Sequence, residues 1–450
     1  MTVPRTICFG FLAVITFGTI LLMLPISMSN GGWSDPVTAL FTSTSAVCVT
    51  GLSVVDVGKY YSFWGQLFIV LLVQVGGLGY MSVTTFLLLV LGRKFGLKDK
   101  IALQQSLDMP GMAGAIPLLR SIIATTLLFE LTGVFLLMPV FVKDLGFQAG
   151  VWSAIFHSVN SFNNAGFSLF SDNLIGYVRS PMVNFVVSTL IIFGGIGYQV
   201  IMEMYYWMRD RITKNPVCVV FSLNFKVATS TTLFLLIFGT LAFLCIEFNN
   251  PETFGPLSFP EKIMAAWFQS VVPRTAGFNT VDYARMHAAS LFITIVLMYL
   301  GASPGSTGGG IKTTTLRVLF SSTRAVLQGR EEVHCYDRQI PLALILKAVG
   351  VVVGSLILVL VSTTLIALTD PIALKAPGGD FIQILFEVVS AFATVGLSTG
   401  YTAGMSVPAK LIIVLTMYLG RVGVLLLMSA IFGDPKPTAV RYPEANLLVG

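Results

Sequence analysis

The sequence predicts an all-α polytopic membrane protein built from four repeated units around a pseudo-fourfold pore. Each unit is a span, a short pore helix, a filter loop and a second span. Three observations lead there. Of 450 residues, 55% are apolar and 11% charged, with a mean hydropathy of +0.85, against roughly 25% charged in soluble domains. Four segments follow one plan: Phe41 to Leu52, Phe156 to Phe167, Phe268 to Phe278 and Phe386 to Leu397 each run from a Phe through a short stretch to X-X-Gly-apolar. Their glycines, Gly51, Gly166, Gly277 and Gly396, lie 115, 111 and 119 residues apart, the signature of an internal repeat. Finally, Met298-Tyr299-Leu300-Gly301 returns as Met417-Tyr418-Leu419-Gly420, again 119 residues on.

Composition also excludes. Cys8, Cys48, Cys218, Cys245 and Cys335 are odd in number and scattered, as are His157, His287 and His334, so neither a disulfide framework nor a metal set is expected. The net charge of +6 is spread over short connectors rather than gathered in a basic patch. That argues for orientation in a bilayer and against nucleic acid. Arg5 followed by Ile7 to Leu24 imitates a signal peptide, but the apolar run exceeds the usual ~7 to 15 residues and no small-residue cleavage site follows.

In chain order, unit one (1–100) opens with a span near Ile7 to Met28, broken by Asn30-Gly31-Gly32. Asp35-Pro36 then starts a short helix to about Ala46, with Asp as cap and Pro in the first turn. That helix is too short to cross, so the chain turns back at Gly51 and spans again from Phe63 to Leu91, before Arg93, Lys94 and Lys98. Unit two (101–215) spans Ala115 to Phe141, has a short helix from Val151 to Phe162, turns at Gly166 and spans Met182 to Met208, before Arg209, Arg211 and Lys214. Unit three (216–338) spans Val227 to Ile246, has a short helix from Pro260 to Val271, turns at Gly277 and begins a span at Ala288 that is interrupted at Gly301. Unit four (339–450) spans Pro341 to Leu368, has a short helix from Gly379 to Ala391, turns at Gly396 and spans Val407 to Ile431. Eight spans leave both termini on one side. That side carries seventeen Lys and Arg against nine acids, and the other eight against eleven. The termini are therefore expected in the cytoplasm.

Irregular backbone at membrane depth survives only where protein buries it or where it lines a water-filled path. Four such segments imply a shared axis. A cation passing there sheds its water, and a ring of backbone carbonyls replaces it. The expected filter is Val49-Thr50-Gly51, Asn164-Ala165-Gly166, Thr275-Ala276-Gly277 and Thr394-Val395-Gly396. Glycine adopts the dihedrals that let successive carbonyls point one way, and the short helices aim negative dipole ends at the ion. From Phe to Gly the offset is ten in three units and nine in the third, so the third loop is one residue shorter.

These four units, the glycine in each loop and the broken third inner helix resemble the Trk/Ktr/HKT superfamily of cation transporters over nearly the whole chain. Within it, the first filter glycine only fifty residues in makes the chain most similar to membrane subunits of bacterial Ktr potassium uptake systems. The resemblance implies K+ as the permeating ion, homodimers in the bacterial cytoplasmic membrane and a cytosolic, ring-forming nucleotide-binding subunit (KtrA-like) that opens the pore. Plant relatives with Ser in the first loop favour Na+, so Gly51 implies a K+ preference. No tightly bound cofactor and no enzyme activity are expected, and Na+ coupling stays open.

Gly301-Ala302-Ser303-Pro304-Gly305-Ser306-Thr307-Gly308-Gly309-Gly310 cannot hold a helix, since each Gly costs up to about 1 kcal/mol and Pro about 3 against Ala. Gly305 to Gly310 fits GxxxxG, but Ile311 stands before Lys312-Thr313 and no strand precedes it, against a phosphate cradle. The segment through Lys312 is expected to be a gate beneath the filter, as the resemblance also implies. Arg421, directly after the shared Met-Tyr-Leu-Gly, is expected level with it. A cation at that depth is costly unless partnered, so it is expected to face the pore as a barrier to multiple ion occupancy, the alternative being a structural partner for loop carbonyls. Arg274 is expected to turn behind the loop toward Glu261 or Asp282, Glu130 to make an interhelical contact, and Asn163 and Asn164 to brace their loop. The rival reading is a secondary transporter with a substrate site on discontinuous helices, which usually alternates repeat orientation; here all four units share one order. A membrane enzyme lacks any clustered nucleophile, acid–base pair or metal set. The cytoplasmic stretch Arg317 to Arg338 is the candidate partner surface.

Overall fold

The computed structural model describes residues 3–79, 115–213, 220–370 and 381–432. In unit one, α1 (Val3–Met23) stops short of Met28 because Pro25, which lacks an N–H, opens a 3-10 turn. Asp35 caps α2 (Pro36–Val47), its carboxylate accepting from the Thr38 N–H at 2.9 Å. The inner helix α3 (Phe63–Leu78) starts on a Ser62 cap. Unit two comprises α4 (Ala115–Leu145), α5 (Phe147–Phe162), α6 (Pro181–Ile196) and α7 (Tyr198–Ile212). Unit three comprises α8 (Leu223–Glu247), α9 (Phe259–Val271), α10 (Ala288–Tyr299) and α11 (Thr313–Leu327), then a hairpin of β1 (His334–Cys335) and β2 (Arg338–Gln339). Unit four comprises α12 (Leu342–Thr369), α13 (Phe381–Phe392), α14 (Val407–Val422) and α15 (Val424–Phe432). The expected span end at Leu91, with Arg93, Lys94 and Lys98, as well as Lys214 and Gly379, lie outside the described residues.

Hydropathy places continuous spans at Met182 to Met208 and Val407 to Ile431, and the structure overturns both. The axis bends by 104° between α6 and α7 and by 91° between α14 and α15. At the breaks Gly197 has φ 99° and ψ 137°, and Gly423 has φ 86° and ψ 139°; Gly79 ends α3 with φ 78° and ψ 132°. Only glycine enters that region cheaply. The interruption is therefore not confined to unit three. Among the described residues, uninterrupted helices long and apolar enough to cross a bilayer lie within α1, α4, α8 and α12, the first span of each unit.

These first spans stand outside. Along α12, Leu346, Val353, Ile357 and Leu360 are all half or more exposed, the inverted pattern of a helix bathed in lipid. The short helices stand inside: Thr42, Ser43, Thr44 and Ser45 of α2 are fully buried. The buried serine at the third position of the plan needs an acceptor, and three units supply it identically. Ser43 donates to Ile15 O at 2.8 Å, Ser158 to Glu130 O at 2.6 Å and Ser270 to Leu236 O at 2.7 Å. Three residues further on each outer helix a glycine makes the approach possible. A Cβ at Gly18, Gly133 or Gly239 would lie 2.5, 2.3 or 2.4 Å from that serine's Oγ. Unit four has buried Val388 at the serine position and needs no acceptor.

Candidate functional site

Each short helix ends in a loop of the same geometry. Val49, Asn164, Thr275 and Thr394 have φ of 57°, 58°, 77° and 51°, and the glycines two residues on have φ of 92°, 71°, 67° and 91°. Non-glycine residues pay roughly 1–3 kcal/mol to sit there, so the same strain at the same register in four loops marks a shared requirement. Between the two left-handed residues one N–H folds back: Thr50 to Ser45 O at 2.7 Å, Ala165 to Asn160 O and Val395 to Ser390 O at 2.8 Å. In unit three Ala276 reaches only to Val272 O, at 3.0 Å, a position nearer. That is the missing residue of the third loop.

The four glycines meet. A Cβ at Gly51 would lie 2.1 Å from Ala165 O, at Gly166 2.7 Å from Ala276 O, at Gly277 2.7 Å from Val395 O, and at Gly396 2.0 Å from Thr50 O. Following those contacts from loop to loop returns to the start. Four carbonyls and four glycines therefore close one ring, and any side chain at a glycine would strike a carbonyl of the next unit. The short helices in turn rest on the inner helices: Val47 O, Phe162 O and Phe392 O approach Gly76, Gly194 and Gly420 so closely that a Cβ would fall within 2.1 Å.

Polar side chains brace the ring from behind. Asn163 Nδ2 donates to Glu130 Oε1 at 2.9 Å and Gln74 Oε1 at 2.8 Å, so Glu130 makes an interhelical contact. Asn164 pairs with Thr275 Oγ1 at 3.2 Å in either amide orientation, joining loops two and three. Arg274 departs from expectation. Its Nη2 donates to Thr232 Oγ1 on α8 at 2.9 Å, while Glu261 faces Arg179 at 3.8 Å and Asp282 faces Arg285 at 3.2 Å. Glu261 sits thirteen residues back, about 20 Å along a helix, beyond the reach of Arg274.

Sequence reading missed a second collar, one turn further back on the short helices. Glu387, fully buried, accepts from Ser398 Oγ at 2.7 Å, Thr399 N at 2.8 Å, Thr399 Oγ1 at 3.1 Å and Thr402 Oγ1 at 2.5 Å. At the same offset before its glycine, buried His157 pairs through Nε2 with Ser168 Oγ at 2.9 Å, with Nδ1 against Ser153 O at 2.8 Å. A carbonyl only accepts, so Nδ1 carries the proton and Ser168 donates to Nε2. In unit three Gln269 donates to Thr280 Oγ1 at 3.1 Å. The signal was present: a polar residue nine positions before Gly51, Gly166 and Gly396, and eight before Gly277.

The 301–312 loop lies against one side of the ring. A Cβ at Gly308 would be 2.2 Å from Thr275 Oγ1, and at Gly309 2.3 Å from Thr394 Oγ1. The loop is tied to the break in unit two, where Ser303 N donates to Gly195 O at 3.0 Å, Thr307 N to Gly194 O at 3.2 Å and Tyr198 N to Gly305 O at 3.0 Å. It also folds on itself, with Thr313 Oγ1 to Ser303 Oγ at 3.0 Å and Lys312 Nζ to Gly308 O at 2.8 Å. Arg421 spans the gap opposite, donating through Nη1 to Thr307 O and through Nη2 to Gly76 O. Of its two expected roles, the partner for loop carbonyls is the one seen in these bonds. Aligning Gly76-Gly77, Gly194-Gly195, Gly301-Ala302 and Gly420-Arg421 puts Arg421 where the other units carry Gly77, Gly195 and Ala302. Three small residues leave room for one guanidinium. Among the described residues no three His, Cys, Asp or Glu side chains gather to hold a metal.

Comparison with known proteins shows the family of the chain. A family model described as TrkH, cation transport protein, matches residues 9–434. The chain is 38% identical to Ktr system potassium uptake protein B of Bacillus subtilis, over all of this chain and 97% of that protein. It is 36% identical to the potassium/sodium uptake protein NtpJ of Enterococcus hirae, over 99% of this chain and 97% of that one. The crystal structure of the potassium transporter TrkH from Vibrio parahaemolyticus superposes with a TM-score of 0.70 at 18% identity, covering 95% of this chain and 85% of that one.

Proposed function

The chain belongs to the TrkH family of cation transport proteins, a multi-pass membrane family, and from that premise we propose that it conducts K+ into the bacterial cell as the membrane subunit of a Ktr-type system. One observation carries the reading: the closed ring formed by Gly51, Gly166, Gly277 and Gly396 with the carbonyls of Thr50, Ala165, Ala276 and Val395. A dehydrated cation needs such a set of oxygens, and fixed carbonyl dipoles supply it. Val49, Asn164, Thr275 and Thr394 add the next carbonyl layer. The 301–312 loop, packed beneath Thr275 and Thr394, is the gate, and Arg421 holds it closed through Thr307 O while placing a positive charge beside the path.

The names of full-length relatives support K+ as cargo, and the potassium/sodium relative supports Na+ dependence as a variant of the same activity. Assembly as a homodimer, gating by a cytosolic nucleotide-binding ring and cytoplasmic termini belong to the same proposal, as does the absence of enzymatic chemistry. Rubidium uptake in cells lacking other K+ systems tests it. Expression of this chain with its regulatory subunit should give saturable uptake that excess K+ suppresses and Gly277→Ser abolishes. Uptake that survives Gly277→Ser unchanged would remove the ring from the ion path.

A further inference from the structure

The 334–339 hairpin and α11 enclose a cavity of about 210 Å³ that the ion path does not use. Arg317, Arg324 and Arg330 line it together with Phe320, His334 and Tyr336. Glu332 also lines it, with His334 Nε2 3.3 Å from its carboxylate, so three arginines face one acid. Among the described residues, none of the three arginines has an acidic side chain within ion-pair distance. The Arg317 guanidinium lies over the Tyr336 ring at 5.4 Å, and its Nε is enclosed with no acceptor. Tyr336 is itself fixed, donating to Ser230 of α8 at 2.8 Å. The cavity thus gathers three arginines with unspent donors, Arg317 held against Tyr336 and Arg324 and Arg330 exposed at its rim.

Its place in the fold selects the ligand. The hairpin joins α11 to the start of α12, and a small core of Val227, Ala325, Val333, Cys335 and Ile340 seats it against the first turns of α8. Two apolar spans begin there, so the cavity opens at the bilayer boundary. Beside it Phe320 and Leu327 are exposed at 61 and 82%, each one turn on from Arg317 and Arg324 along the same helix. Apolar side chains next to basic ones at that depth fit acyl chains and a phosphate of one molecule. The volume is below the ~300 Å³ at which pockets for drug-sized ligands begin, which suits a headgroup better than a whole nucleotide.

We propose that this cavity binds the phosphodiester of an anionic glycerophospholipid, with the arginines as donors. Because Lys312 is the residue from which α11 starts, a bound lipid holds the downstream end of the 301–312 loop at the membrane surface. The test is native mass spectrometry of the full chain in detergent, titrated with phosphatidylglycerol, phosphatidylcholine, inorganic phosphate or ATP. The wild type should retain phosphatidylglycerol over phosphatidylcholine. Arg324→Gln with Arg330→Gln, both exposed and without packing roles, should weaken retention about thirtyfold, and Arg317→Gln should add to the loss. Equal retention by the double variant overturns the proposal. So does occupancy by phosphate or ATP with no retained phosphatidylglycerol, or a variant phenotype confined to binding of a regulatory protein.

Discussion

Glu387 is a buried carboxylate that gathers four donors from the outer limb of the fourth loop, and it sets the position of that limb as firmly as the glycine sets the ring. Hydrogen bonds to a charged group are worth about 1.5–3 kcal/mol each, so Glu387→Gln, which keeps the shape but replaces one acceptor oxygen with a donor, should loosen it. Discrimination of K+ from Na+ should fall about tenfold, measured as Na+ competition against rubidium uptake, with partial recovery in Glu387→Asp. Wild-type selectivity in a normally expressed Glu387→Gln protein would reduce the residue to a packing role. At this scale the sequence pointed to Arg421 beside the 301–312 loop and to Asn163 and Asn164 as braces of theirs, and the contacts agree. It did not show that Arg274 reaches Thr232, because the rotamer of a long side chain depends on a helix from elsewhere in the chain.

Among the elements, the 301–312 loop is held by backbone bonds to Gly194, Gly195 and Tyr198 and by Arg421. Deleting part of Ser303 to Gly309 removes the tie and opens the path. Ion flux through the reconstituted variant should rise at least about tenfold, the worth of one or two such bonds, and should no longer depend on the regulatory subunit. Slow, fully dependent flux would locate the gate elsewhere. Five glycines and a proline within ten residues announced this interruption in the sequence. The breaks at Gly197 and Gly423 follow the clusters Gly194-Gly195-Ile196-Gly197 and Gly420-Arg421-Val422-Gly423, a signal that a hydropathy reading passes over because each glycine costs only about 1 kcal/mol in a helix and the apolar run continues beyond both. At Gly197 the neighbouring loop holds the turn, supplying Gly305 O to the N–H of Tyr198.

For the whole molecule, orientation follows from charge. With seventeen Lys and Arg on the termini side against eight on the other, a fluorescent reporter fused after Gly450 should be active in the cytoplasm, and a periplasmic phosphatase fused there should be inactive. The opposite pair of results would invert the pathway and place the 301–312 loop on the outer face.

The sequence by itself determined the repeat, its fourfold count, the four loop glycines and the unwound segment of unit three, because those depend on local backbone chemistry and on how apolar residues are spaced along the chain. The tertiary structure alone decided that the glycines close a ring, that Arg421 fills the space left by Gly77, Gly195 and Ala302, and that Glu387 and His157 back the loops. Each of these is a contact between segments far apart in the chain, and its energy depends on a neighbour that a linear reading does not supply.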